Sequence, residues 1–203
     1  MDDTVEEYNI LVTSVGGQGG VTLARVLSYA AMGEGLNVRV GETLGMAQRG
    51  GPVQSHVRVG DRVHGSQMPA GRCDVMLSLE PAESVRAPEF LGRGTRVVMS
   101  TTPVYPIPVM LKEETYPELG MIMAALGRIG CRVHALDARE LAIGAEAPAS
   151  LNVVVLGAYA ALEEGVIGTE SIRRALGEAL PRRFLEQNTK AFDLGYAEMR
   201  HLL

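Results

Sequence analysis

The chain has 203 residues, 46% hydrophobic and 21% charged, and a formal net charge of −5. That length suits one domain that buries a core without staples, and the composition excludes a disordered tail or a collagen-like rod. The acidic balance, the 4% aromatic content and the absence of Trp argue against nonspecific nucleic-acid binding and against a base-stacking platform.

The first element in chain order is Tyr8 to Ser14 (YNILVTS). It is short and nearly continuously apolar, so it predicts a parallel strand buried on both faces. A glycine loop follows, Val15-Gly16-Gly17-Gln18-Gly19-Gly20, and then a helix over about Val21 to Gly33. Asn37 to Glu42 is the next strand, which makes a βαβ unit and favours a right-handed crossover to a parallel neighbour. The segment Thr43 to Pro52 is polar and glycine-rich. In Val53 to Val59, Val53, Ser55, Val57 and Val59 point one way, and Gln54, His56 and Arg58 the other. Gly60-Asp61 predicts a hairpin turn into a short strand, Arg62 to His64.

Asp74 to Leu79 and Thr95 to Ser100 read as two buried strands, with a short helix between them at Ala82 to Phe90. Thr102 to Tyr116 is proline-rich and predicts an excursion over the surface. Glu118 to Ile129 is an amphipathic helix and Cys131 to Ala135 a strand. The rest is helical: Asp137 to Ile143, Leu151 to Leu162, Thr169 to Leu180 and Phe184 to Met199, with Ser150 and Thr169 as N-caps. Met110, Met121 and Met123 are expected to fill the core. The whole predicts one α/β domain over residues 1–203. It has three layers, a mostly parallel sheet, an antiparallel hairpin element and a helical C-terminal part.

A strand, a glycine turn and a helix place backbone N–H groups at a helix N-terminus, which suits a phosphate or carboxylate. The dinucleotide fingerprint G-x-G-x-x-G is met only in part, because position 22 is Thr. Glu42, at the end of the second strand, stands about where a ribose-binding carboxylate would. No Gly-Lys-Ser/Thr follows, so the loop is not a P-loop. The stretch from Glu42 to Gly51 gathers Thr43, Gln48, Arg49, Gly50 and Gly51. In it Arg49 can pair with Glu42 or clamp a phosphate. The histidines form no metal-ligand spacing, and His56 alone lies beside this loop. Cys73 and Cys131 are too few for a four-thiolate cluster or a structural zinc site, and are expected to be reduced. No apolar run of about 18 residues or basic leader is present, so the chain reads as cytoplasmic with no membrane span.

VGGQGG after the first strand, then GETLGMAQRGG and VQSHVRVG, resemble the beta-subunit family of indolepyruvate ferredoxin oxidoreductases. That subunit is a free-standing form of the gamma-type domain of 2-oxoacid:ferredoxin oxidoreductases. The resemblance continues through Leu79-Glu80-Pro81 to Leu151-Asn152-Val153-Val154 and Phe184 to Phe192, and so covers essentially the whole chain. It implies that an arylpyruvate, coenzyme A and oxidised ferredoxin give an acyl-CoA, carbon dioxide and reduced ferredoxin. That chemistry uses thiamine diphosphate and iron–sulfur clusters. The sequence has no Gly-Asp-Gly with a distant Asn for thiamine diphosphate and magnesium, and no CxxC for 4Fe-4S clusters. The resemblance therefore implies a large partner subunit carrying these cofactors, with ferredoxin reached through the complex. Coenzyme A would be shared at Gly16 to Gly20 or clamped by Arg49. Two other readings stay open: a stand-alone Rossmann-like nucleotide-binding protein or NAD-dependent enzyme, and an assembly module whose loops bind only protein. The C-terminal helix, with Phe184, Leu185, Phe192 and Leu194, is expected to join the partner interface.

Overall fold

The computed structural model describes residues 5–44, 50–162 and 165–203. Six strands form one sheet: β1 (Tyr8–Val15), β2 (Val38–Leu44), β3 (Pro52–Val59), β4 (Val75–Ser78), β5 (Arg96–Ser100) and β6 (Arg132–Leu136), in the order β2-β3-β1-β4-β5-β6. β1, β4, β5 and β6 are parallel neighbours, whereas β3 pairs antiparallel with both β1 and β2. β3 therefore runs against the other five. All eight residues of β1 are buried, as its continuous apolar run predicts.

Alternation along the strands divides the interior in two. Ile10 and Val12 of β1, Val57 and Val59 of β3 and Leu77 of β4 face one core. That side is covered by α1 (Gly20–Gly33), α4 (Ala138–Gly144), α5 (Leu151–Ala160), α6 (Thr169–Ala179) and α7 (Leu185–Leu202). Leu11, Met76, Val97 and Met99 face the other core, under α3 (Leu119–Ile129), which contributes Ile122 and Leu126. The result is the expected three-layer α/β arrangement. Among the described residues no helix is long and apolar enough to cross a membrane.

Several local expectations change. β1 and β2 run the same way but are not neighbours, because β3 inserts between them. Residues 62–64 form no strand; the antiparallel partners of β3 are β1 and β2, which both precede it. The segment from Ala82 to Phe90 is two 3₁₀ turns, Ala82–Val85 and Pro88–Phe90, broken where Pro88 removes a donor. Gly168 rather than Thr169 caps α6, and Ser150 precedes α5 without a side-chain capping bond. Asp137 does cap α4, accepting from the Glu140 N–H at 3.0 Å.

The surface excursion holds a one-turn helix, α2 (Ile107–Met110), with no buried residue. Met110, Met121 and Met123 are exposed rather than core, since α2 and the outer face of α3 have no layer above them. The C-terminal helix departs from expectation in the opposite sense. Phe192 is fully buried, and Phe184 and Leu194 alone of the named four are exposed. α7 is thus a structural layer of the domain.

The tightest contact explains that. α5 is buried on every side from Asn152 to Ala160, as an all-round apolar helix must be. α7 crosses it backbone to backbone. A Cβ at Gly157 would lie 2.0 Å from the Phe192 carbonyl oxygen, and one at Gly195 would lie 2.0 Å from the Val154 carbonyl oxygen. Neither carbonyl can yield without displacing its helix. Gly157→Ala should therefore cost about 1–3 kcal/mol or more by overpacking, a fall in Tm of roughly 2–12 °C at this size. Gly195→Ala should do the same, and Gly177→Ala, which would meet only a Leu185 methyl at 3.9 Å, should be near neutral. Thermal unfolding of the three variants checks the ordering.

Candidate functional site

The glycine loop leaves the carboxyl end of β1, at the sheet edge where α/β folds place ligands. Its two sequence segments prove to be joined. The Gly16 N–H donates to the Gly51 carbonyl at 2.8 Å, and the Gly50 N–H donates to the Gly16 carbonyl at 3.3 Å. Gln18 braces this lip: its Oε1 accepts from the Val15 N–H at 2.8 Å, and its Nε2 donates to the Leu79 carbonyl at 2.9 Å. The side chain thereby ties the turn to the end of β4.

Gly19 must be glycine. Its φ of +82° is left-handed, and a Cβ would sit 2.6 Å from Asn152 Nδ2, which donates to the Gly19 carbonyl at 3.1 Å. Gly20 starts α1 against the Ser14 side chain. The first N–H groups of α1, on Gly20, Val21 and Thr22, precede any intrahelical acceptor. Gly20 and Val21 line a cavity of about 320 Å³ together with residues 14–17, Gly19 and Val53. No acidic residue lies in the first turn of α1, so nothing there opposes the positive end of the helix. The arrangement can hold an anionic oxygen by backbone donors alone.

The second half of the expected site divides. Glu42 and Thr43 are exposed on edge strand β2, opposite Ser55 and Gln54 of β3. With β3 interposed, β2 lies about 10 Å from β1, so Glu42 is not beside the turn as in a dinucleotide fold. Gln48 and Arg49, and the pair of Arg49 with Glu42, lie outside the described residues.

Three contributors went unseen as site residues. Asn152 comes from α5, 133 positions away. Glu80 is buried just past β4; its Oε1 accepts from the Tyr116 hydroxyl and the Val104 N–H, and its Oε2 accepts from the Glu83 N–H. Tyr116 also accepts from the Ala82 N–H at 3.2 Å. Burial, and then the Glu80 carboxylate, push the Tyr116 phenol above its ordinary pKa. Glu80 thus clasps both ends of the 102–116 excursion over the carboxyl edge. A small cavity of about 60 Å³ runs between Gly50 of the lip and this clasp. The Leu79-Glu80-Pro81 motif was the available signal for it.

His56 is fully buried on β3, edge-on to the Phe90 ring at 4.8 Å. Its Nδ1 faces the Met68 N–H at 3.5 Å, and its Nε2 has no hydrogen-bond partner among the described residues. Burial, reinforced by the nearby Arg58, lowers its pKa below the usual 6.5. Cys73 is buried and Cys131 half-buried, both free thiols raised in pKa by burial, so neither is poised as a thiolate. The folded state resists protonating His56 while the unfolded state accepts a proton below about pH 6.5. Stability should therefore fall as pH drops below that value, by at most about 1.4 kcal/mol per pH unit. Tm measured from pH 7.5 to 5.0 should decline, and His56→Gln should flatten the slope between pH 6.5 and 5.0. An unchanged slope in the variant would assign the decline to another group.

Comparison with known proteins agrees with this architecture. The family model for pyruvate ferredoxin/flavodoxin oxidoreductase matches residues 9–198. The indolepyruvate oxidoreductase subunit IorB of Archaeoglobus fulgidus is 40% identical over 93% of this chain and 93% of its own length. Among solved structures, the gamma subunit of a keto/oxoacid ferredoxin oxidoreductase from Geobacter sulfurreducens superposes with a TM-score of 0.71 at 24% identity, over 97% of this chain and 99% of that one. The 2-oxoglutarate:ferredoxin oxidoreductase of Magnetococcus marinus, with 2-oxoglutarate, coenzyme A and succinyl-CoA bound, matches with a TM-score of 0.71 at 20% identity. There the match covers 98% of this chain but 32% of that one. A full-length match to the family model, with an indolepyruvate oxidoreductase subunit among its relatives, means that the chain belongs to the pyruvate ferredoxin/flavodoxin oxidoreductase family.

Proposed function

We propose that this chain is the small subunit of a cytoplasmic indolepyruvate (arylpyruvate) ferredoxin oxidoreductase, which oxidatively decarboxylates a 2-oxoacid to an acyl-CoA and reduces ferredoxin. The reading rests above all on the glycine lip, an anion-ready cradle at the carboxyl edge of the sheet. The Gly16–Gly20 turn and Gly50–Gly51 take a phosphate of coenzyme A there, with Arg49 as a clamp. The Magnetococcus enzyme, a 2-oxoglutarate:ferredoxin oxidoreductase whose structure has coenzyme A bound, supports that ligand. The lip provides no acid, base or nucleophile of its own. Its work is to bind and orient.

Thiamine diphosphate, magnesium and the 4Fe-4S clusters are assigned to a large partner subunit. The two cysteines of this chain are too few for a four-thiolate cluster. Among the described residues no group of three or more His, Cys, Asp or Glu is placed to hold a metal ion. The stand-alone dinucleotide reading loses its support with the displacement of Glu42 to the far side of β3.

The partner contact is assigned to the excursion. Ile107, Met110 and Leu111 are each more than 60% exposed, and Tyr105 and Val104 adjoin them in sequence. Such a cluster is more apolar than solvent-facing chain requires and suits a subunit interface. It replaces the C-terminal helix in that role, because deleting α7 would remove a structural layer.

Two measurements test the assignment. In the co-purified complex, Arg49→Ala should raise the KM for coenzyme A about 10- to 150-fold, the value of one charge-assisted hydrogen bond, and leave the KM for the 2-oxoacid nearly unchanged. An unchanged KM for coenzyme A removes Arg49 from the site. Separately, the double variant Ile107→Asp, Met110→Asp should fold normally yet lose the large subunit in a pull-down. Full retention of the partner would place the interface elsewhere.

A further inference from the structure

The opposite edge of the sheet, where the parallel strands begin, carries a second feature. The turns entering β4 and β5 and the starts of β1 and β6 enclose a cleft of about 410 Å³, within the size range of small-molecule sites. It lies about 25 Å from the glycine lip along β1. Four guanidinium groups line it, from Arg72, Arg93, Arg96 and Arg132. Arg96 and Arg132 are direct cross-strand partners on β5 and β6, so two cations stand side by side on one face at this edge of the sheet.

Two acids, Glu7 and Asp74, face the four cations, and both act electrostatically on Arg72. Glu7 pairs with buried Arg58 at 2.8 Å and accepts from Asn9 Nδ2 at 2.8 Å. Asp74 accepts from the Asn9 N–H at 2.7 Å. Arg93 and Arg132 have no hydrogen bond or ion pair among the described residues, and Arg96 reaches the Tyr8 hydroxyl at 3.1 Å. The floor is rigid. Asn9, 2% exposed, also accepts from Arg58 Nε and donates to the Arg72 carbonyl, so all its polar groups are satisfied. A chain of net charge −5 thus concentrates surplus positive charge in one concave, polar, preorganised place.

We infer that this cleft binds a small, multiply charged anion through the guanidinium forks of Arg93 and Arg132, with Arg72 and Arg96 adding positive charge beside them. Planar forks match phosphate and carboxylate groups alike. The two sources are separated by titrating the full chain with tripolyphosphate and with citrate at about 0.15 M salt. At least one should bind and raise Tm, and the tighter of the two names the class. The double variant R93S/R132S removes two exposed side chains and should stay folded by circular dichroism. It should weaken binding by about tenfold or more. Should it not fold, R132S alone, on edge strand β6, carries the same expectation. R139S/R182S, with the same net charge, should bind as the parent does. R49A should as well, which separates this cleft from the lip. Binding of neither anion at a Kd below about 1 mM would overturn the inference. So would equal loss in R139S/R182S, or full binding by R93S/R132S.

Discussion

The site depends on where β3 lies. Had β2 followed α1 back to the side of β1, as an ordinary βαβ crossover favours, the loop after β2 would open beside the turn and Glu42 would face it. Instead β3 fills that position, antiparallel to both neighbours. Its first residue, Pro52, pairs with Val15, the last residue of β1. That register brings Gly50 and Gly51 against Gly16 and turns two separate glycine segments into one lip. The same placement buries the polar face of β3. Arg58 and His56 both lie inside the sheet layer. Arg58 is compensated by Glu7, Asn9 and two carbonyls, and His56 by remaining neutral.

Around the lip, fixed backbone does what charged side chains do elsewhere. Gln18 spends its amide on holding the turn to β4, and Asn152 reaches from the central helix to hold Gly19. Because α5 is locked to α7 at Gly157 and Gly195, Asn152 stands on the most constrained element of the domain. The far core thus steadies a cradle made of a few N–H groups, and an oriented set of donors costs little reorganisation when a ligand arrives. Of the apolar residues of the C-terminal helix expected at a partner interface, Phe192 is instead taken up by this internal packing.

Much of this was legible in the residues. The apolar run of β1, the glycine turn, the helix after it and the order of later strands follow from patterns of period 2 and 3.6. Strand adjacency was not legible, since the insertion of β3 is a long-range pairing that no local pattern encodes. The exposed methionines misled because apolar residues at helical spacing look the same whether a second layer covers them or a partner does. Glu80 and Asn152 were visible only as members of motifs. Their partners, Tyr116 and Gly19, lie 36 and 133 positions away, and a buried carboxylate is found by its donors, not by its neighbours in sequence.

The two edges of the sheet therefore offer anions different terms. At the carboxyl edge the attraction comes from a helix terminus and backbone N–H groups, which are uncharged and close to the turn. Such a site selects by shape, admitting a tetrahedral group that fits between glycines. At the amino edge the proposed attraction comes from arginines on four separate segments, standing over a floor of Asn9, Arg58 and Glu7. That site selects by charge and tolerates variety in form. Screening follows from the difference: exposed guanidinium groups lose much of their attraction as salt rises through a Debye length of about 8–10 Å, while fixed dipoles against a walled turn lose less. On the two proposals together, binding would divide between the edges, precise at the glycine lip and permissive at the arginine cleft.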